Sequence, residues 1–185
     1  MNPKSGIAIA ASLLALHASA MADNVDHARS QISFVSKQMN VPVDGQFARF
    51  TAQVTYDPRK PAASKAEIEV ELASVETGSS EANIEVAKKT WFNIAAFPSA
   101  RFVSSSVRAL SQDKLEVKGN LSIKGISREV TFPVTVKTAG GSSTFEGAFP
   151  ILRLQYRIGE GAWSDTDTVA DEVQVRFRIV TTGNK

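Results

Sequence analysis

The stretch that most constrains this chain is KLEVKGNLSIKGISREVTFPVTV, residues 114–136. Leu115, Val117, Leu121 and Ile123 share one parity in its first half; Val130, Phe132, Val134 and Val136 share one in its second. Polar residues hold most of the alternate places, among them Glu116, Lys118, Asn120, Ser122, Glu129, Thr131 and Thr135. Successive side chains on a strand point to opposite faces, so each half has an apolar face and a wet one. Lys124, Gly125 and Ile126 mark the reversal, where a glycine can take a positive φ. The stretch predicts an amphipathic β-hairpin. A lone hairpin cannot bury its apolar face, so the rest of the chain must cover it or continue it into a curled sheet.

The same alternation recurs along the chain. It predicts a strand over residues 30–38, with Ile32 and Phe34 on one face. Residues 40–45, NVPVDG, read as a turn because of the proline and the Asp-Gly pair. A second strand follows over 46–56, a loop with two prolines over 57–64, and a third strand over 65–75. On that third strand Ala66, Ile68, Val70 and Leu72 oppose Glu67, Glu69 and Glu71. Three carboxylates there read as the solvated side of a half-buried strand rather than as an acidic site. A serine-rich strand over 100–110 precedes the hairpin, and strands near 145–151 and over 171–182 follow it. In the last, Val173, Val175, Phe177 and Ile179 point inward and Arg176 and Arg178 outward. Pro133 removes a ladder donor, which places a bulge or an open edge in the second hairpin strand.

Two segments break the rhythm. In residues 77–100, Ser79 or Ser80 suits a helix cap, Glu81 its first turn, and Ile84, Ala87 and Trp91 fall at helical spacing. Trp91, Phe92 and Phe97 then form an aromatic patch, either a plug at one end of a barrel or the wall of a mouth. Residues 152–171 form a long connection carrying Asp165, Asp167 and Asp171. Their spacing lacks the glycine and closing glutamate of a Ca²⁺ loop, so Asx-turns explain them and no metal site is read. Together the segments predict an all-β fold, an antiparallel barrel of about eight strands with one short helical insertion. A barrel of that size either fills with its own side chains or holds one small ligand.

Composition narrows the chemistry. The absence of cysteine excludes disulfides, thiolate nucleophiles and Cys-ligated metals. Residues 1–22 read as a signal peptide: Lys4, an apolar run over 7–16, and two A-x-A sites at Ala18–Ala20 and Ala20–Ala22. The expectation is a periplasmic or secreted protein with one domain over 23–185. Loss of the leader removes one of 21 Lys+Arg, leaving 20 against 19 Asp+Glu, a net charge of +1. No basic run marks a nucleic-acid partner. Of two histidines only His27 remains, too few for a His-rich zinc site. No G-x-S-x-G elbow, H-E-x-x-H or phosphate-cradling loop is present. The balance favours binding over catalysis, with no cofactor; carboxylate-based chemistry stays open.

Several motifs, in order, resemble one family. SQISFVSKQMNVPVDGQFARF, with Ser30, Ile32, Phe34, Lys37, Val43, Gly45 and Phe47, is similar to the opening block of the YceI-like family. VELASVETGS, WFNIAAFPSARFVS, GNLSIKGISREVTFPV, GAFPILRLQYRIGEG and VADEVQVRF are similar to its later blocks. Gln38 stands where a histidine is frequent, and Asn93 where an aspartate is usual. The resemblance implies a lipocalin-like barrel that binds a polyisoprenoid, a quinone or another long amphiphile. It also raises transient membrane contact and a b-type cytochrome partner, and leaves an enzyme of isoprenoid or quinone metabolism as the alternative function. The interior candidates are Phe34, Phe50, Ile68, Val70, Trp91, Phe92, Phe102, Leu121, Phe132, Phe149, Val175 and Phe177, each serving equally as plain core. Arg153 or Arg157 could meet a phosphate or carbonyl head group, or be structural.

Overall fold

The computed structural model describes residues 25–182; the expected signal peptide and its cleavage sites lie outside them. The central hairpin is as read. Strand β7 (Lys114–Ile123) pairs with β8 (Ile126–Ala139) from Lys114↔Thr135 to Ile123↔Ile126. Lys124 and Gly125 both take positive φ, the two-residue turn whose twist matches that of the flanking strands.

The remaining strands are β1 (Gln31–Gln38), β2 (Val41–Phe47), β3 (Phe50–Thr55), β4 (Lys65–Glu71), β5 (Val75–Glu76), β6 (Ser99–Ala109), β9 (Ser142–Leu152) and β10 (Glu172–Thr182). All ten belong to one antiparallel sheet in the order β3-β4-β6-β7-β8-β9-β10-β1-β2-β5. The count exceeds the expected eight because two long strands are each bent into a pair. The expected strand over 46–56 breaks at Ala48 and Arg49, and the one over 65–75 breaks at a short 3₁₀ turn, Leu72–Ser74. The two corners face each other. Ala48 N donates to the Ser74 carbonyl at 3.0 Å and Glu71 N to the Arg49 carbonyl at 3.1 Å. Arg49 N donates to Ser74 Oγ at 3.0 Å. The bent pairs carry the sheet round a corner and curl it into a barrel, since β2 continues into β3 and β4 into β5.

Residues 40–45 are not the turn their composition indicated. The turn is Met39 and Asn40, both at positive φ, and β2 begins at Val41. Pro42 sits in β2 opposite Lys37, where the strand has β1 on one side and no ladder on the other until Gln46 meets Glu76. A proline on an open edge removes no ladder bond.

Parity elsewhere holds. Leu115, Val117, Ile123, Phe132, Val134, Val136, Phe145, Phe149, Ile151 and Ile179 are all buried in one core. Glu67 and Glu71 lie outside, paired with Arg101 and Arg49. Such exposed pairs add little stability. Three glycines make room for aromatic rings over the sheet. A Cβ on Gly119 would lie 2.5 Å from Phe102 Cζ, and one on Gly147 2.5 Å from Phe177 Cζ. Gly45 sits in the same way beneath Phe34, its cross-strand partner.

The open edge expected at Pro133 is present. The β8–β9 ladder runs from Ala139↔Ser142 to Val134↔Gly147 and stops there. Beyond it residues 126–133 and 148–152 part, leaving a groove that Gln155 and Tyr156 border.

Candidate ligand cavity

The helical insertion forms as α1 (Ser80–Ala87), with Ser79 as its cap accepting from Ala82 N. It differs from the reading in face and extent. The helix ends at Ala87, Ile84 is 65% exposed, and Ala82, Glu85 and Val86 face inward instead. The chain then makes tight turns that bring Trp91 and Phe92 over one end of the barrel. Asn93, at φ 52, closes one of these turns.

Beneath this cover lies a cavity of ≈ 570 Å³. Seven of the twelve interior candidates line it: Phe34, Val70, Trp91, Phe92, Leu121, Phe149 and Val175. The other five do not. Phe102, Phe132 and Phe177 form the floor, their rings meeting around Phe132 at 5.5 Å from Phe102 and 5.7 Å from Phe177. Ile68 packs against the same core, and Phe50 meets the His27 ring at 5.0 Å. The barrel is therefore filled at one end and hollow at the other, so the plug and the wall offered for the aromatic patch are one feature. Phe47, Ile158, Trp163 and Val169 also line the cavity and were not anticipated. Phe47 fell at a strand start with no run to set its parity, and the others lie in a connection with no period at all.

That connection, residues 153–171, is a built cover. Arg153 is buried, and all five of its N–H groups meet carbonyl oxygens. Nε donates to Ala170 at 3.0 Å; Nη1 to Ile158 at 2.8 Å and Gly159 at 3.1 Å; Nη2 to Trp163 at 2.7 Å and Val169 at 2.6 Å. Burial lowers its pKa, with the Asp171 charge opposing, and like any arginine in a protein it carries its charge. Its guanidinium also lies 5.7 Å from the Trp91 ring. Gly159, at φ +79, lets the backbone pass so close that a Cβ there would collide with Nη1. Arg153 thus folds the connection around itself and has no N–H left for a head group. Arg157 is exposed, lies off the cavity wall and caps a 3₁₀ turn at φ 55; its carbonyl accepts from Lys124 Nζ at 2.6 Å.

Other bonds fasten the cover to its surroundings. Lys124 Nζ also meets Glu160 Oε2 at 2.9 Å, which lowers the Glu160 pKa. Trp163 Nε1 donates to Glu85 Oε1 at 3.0 Å. Met39 N donates to the Thr168 carbonyl and Ala170 N to that of Lys37, both at 2.9 Å. Two of the three aspartate side chains, those of Asp165 and Asp171, have local tasks. Asp165 accepts from Asp167 N and Thr168 Oγ1, and Asp171 from Leu154 N. Among the described residues no cluster of His, Cys, Asp or Glu could hold a metal ion.

The architecture and the motif order have an independent counterpart: the model of the YceI-like domain matches residues 24–181. The chain belongs to the YceI-like family. Among solved structures, Burkholderia cenocepacia BcnA is 46% identical, superposes with a TM-score of 0.84, and is matched over 85% of this chain and 99% of its own. A polyisoprenoid binding domain from Saccharophagus degradans, implicated in plant cell wall breakdown, shares the fold at 16% identity and a TM-score of 0.71, over 86% of this chain and 97% of its own. Among curated relatives, a UPF0312 protein of Pseudomonas putida is 30% identical over 98 residues, 53% of this chain and 51% of its own. A UPF0312 protein of Azotobacter vinelandii is 28% identical over 130 residues, 68% of each chain. The chain thus spans about half the length of the first of these relatives.

Proposed function

We propose that this YceI-like protein is a periplasmic binding protein that carries or stores a long-chain amphiphile, such as a polyisoprenoid or an isoprenoid quinone, without transforming it. The observation that carries the reading is the ≈ 570 Å³ cavity, walled by Phe34, Val70, Phe92, Leu121, Phe149 and Val175. A hydrocarbon chain entering such a wall loses its contact with water, worth about 0.8 kcal/mol for each CH₂ buried. The polyisoprenoid-binding description of the Saccharophagus degradans domain supports the ligand class. The periplasmic location rests on the leader read in residues 1–22.

An insoluble ligand must be collected from, or delivered to, a membrane. Met39 (70% exposed), Val41 (62%) and Ile84 (65%) support transient contact with one. They adjoin Gln38 and Glu85, which line the cavity.

The test is native mass spectrometry of protein purified from the periplasm without detergent, followed by organic extraction. The expected result is a discrete added mass in the isoprenoid or fatty-acyl range, and the same lipid returned unchanged after incubation. A protein that is empty and takes up no isoprenoid would overturn the reading. A chemically altered lipid would make it an enzyme.

A further inference from the structure

The charged groups on the cavity wall, with the donors left free there, set which head group the cavity accepts. Resting on the ligand class proposed above, we infer that it selects amphiphiles with an uncharged, oxygen-bearing head group, such as an alcohol or a ketone, and discriminates against the phosphate or carboxylate of the same chain.

Among the described residues the wall carries one cation, Arg153, and two carboxylates, Glu81 and Glu85. Five carbonyl oxygens surround the guanidinium and occupy every N–H, so a phosphate would find a nearby charge but no hydrogen-bond donor on it. No lysine lines the wall. Glu85 is fixed as a carboxylate, since Lys88 and, less strongly, the Trp163 indole lower its pKa. Glu81 is held in the same direction by its own backbone N–H and by Ser79 and Ser80. An anionic head at this end would come near Glu81 and the Lys88-paired Glu85 and lose its water without recovering the bonds water gave it, a heavy penalty for a charge and a light one for a hydroxyl or ketone.

The free donors are neutral. Trp91 Nε1 is buried in the wall without a partner. The Gln38 side chain lines the cavity and makes no hydrogen bond among the described residues. Either matches a neutral acceptor oxygen, and satisfying the indole N–H removes an unpaired buried group, the costlier state for a donor.

Both tryptophans of the chain line the cavity, so intrinsic fluorescence reads occupancy. The full mature chain, stripped of lipid on a hydrophobic resin, is titrated with geranylgeraniol, geranylgeranyl monophosphate and a hydrocarbon of the same length at about pH 8, where the monophosphate is a dianion. The alcohol is expected to bind at least about tenfold tighter than the monophosphate. Gln38→Leu and Trp91→Phe, separately, are expected to weaken alcohol binding by about threefold to tenfold relative to binding of the hydrocarbon by the same variant. Gln38 is an exposed residue, so its variant folds even where the Trp91 one does not. Monophosphate binding as tight as the alcohol's would overturn the inference alone, as would alcohol affinity unmoved by both substitutions. No quenching by any of the three would overturn the inference together with the proposed function.

Discussion

Phe132 and Phe149 stack with ring centroids 4.3 Å apart and planes 10° from parallel. They belong to β8 and β9 at the level where the ladder between those strands has ended, so packed rings continue the wall where hydrogen bonds stop. Phe132 also meets Phe102 and Phe177, whereas one side of Phe34 lines the cavity rather than packing on protein. Phe132→Ala should therefore cost about 3–5 kcal/mol in urea denaturation. Phe34→Ala should cost less, because part of its surface has no packing to lose. Equal losses would mean that floor and wall have been misassigned.

Arg153 gives a sharper contrast. Arg153→Met would leave five carbonyl oxygens with no donor, and a loss of about 3–5 kcal/mol is expected. Arg153→Lys should recover little, since an ammonium has three donors and no planar fork. Thermal melts measure the loss, and hydrogen exchange over residues 153–171 should rise in both variants. A lysine variant as stable as the parent would show that charge alone holds the cover.

The pH dependence follows from the depressed carboxylates. The Lys124 ammonium holds the Glu160 pKa below its ordinary value of 4.5. A group depressed in the folded state contributes stability above its unfolded pKa, and that contribution is lost as pH falls through the folded one. Attachment of the cover should thus be constant near neutrality and weaken below about pH 4.5. In Glu160→Gln the cover should exchange faster at pH 7, and its remaining acid dependence should shrink. An unchanged acid profile would remove Glu160 from the mechanism.

Gly45 lies under Phe34 at the cavity and Gly119 under Phe102 in the floor. Gly45→Ala should tip the Phe34 ring into the cavity and lower lipid uptake at a modest loss of stability. Gly119→Ala should be the more damaging to stability, because its Cβ would also lie 2.5 Å from the Val103 carbonyl oxygen, which cannot swing away. Parallel lipid-loading and denaturation assays separate the two outcomes.

What was legible in the sequence was what alternation encodes. The hairpin, the parity of β10 and the outward face of β4 follow from period-2 patterns, and burial respects them. The corners were not legible. Leu72 continues the alternation of Ile68 and Val70, yet it sits buried in a 3₁₀ turn that exists because Ser74 bonds the facing backbone. Residues 40–45 carried strong turn chemistry, but it was overridden where Pro42 met an open edge. The cavity was half legible. Its strand wall carries the period, whereas Trp163 and Val169 are placed by Arg153 through carbonyls, which every residue has and no side-chain pattern reveals. The same holds for the arginine: its type was noticed, but its donors are committed by contacts up to 17 residues away in the chain.

Val25 bridges Thr181, and Asp26 N donates to the Val180 carbonyl at 2.8 Å. Both ends of the described chain therefore leave side by side, beneath the filled half of the barrel and away from Trp91 and the cover. Any tether attached at Val25 or Thr182, whether a surface linkage, a fused module or an affinity handle, is attached at the end of β10 opposite the cavity-lining Val173 and Val175. The molecule can be held by its foot while the end that carries the cavity is free to meet another surface.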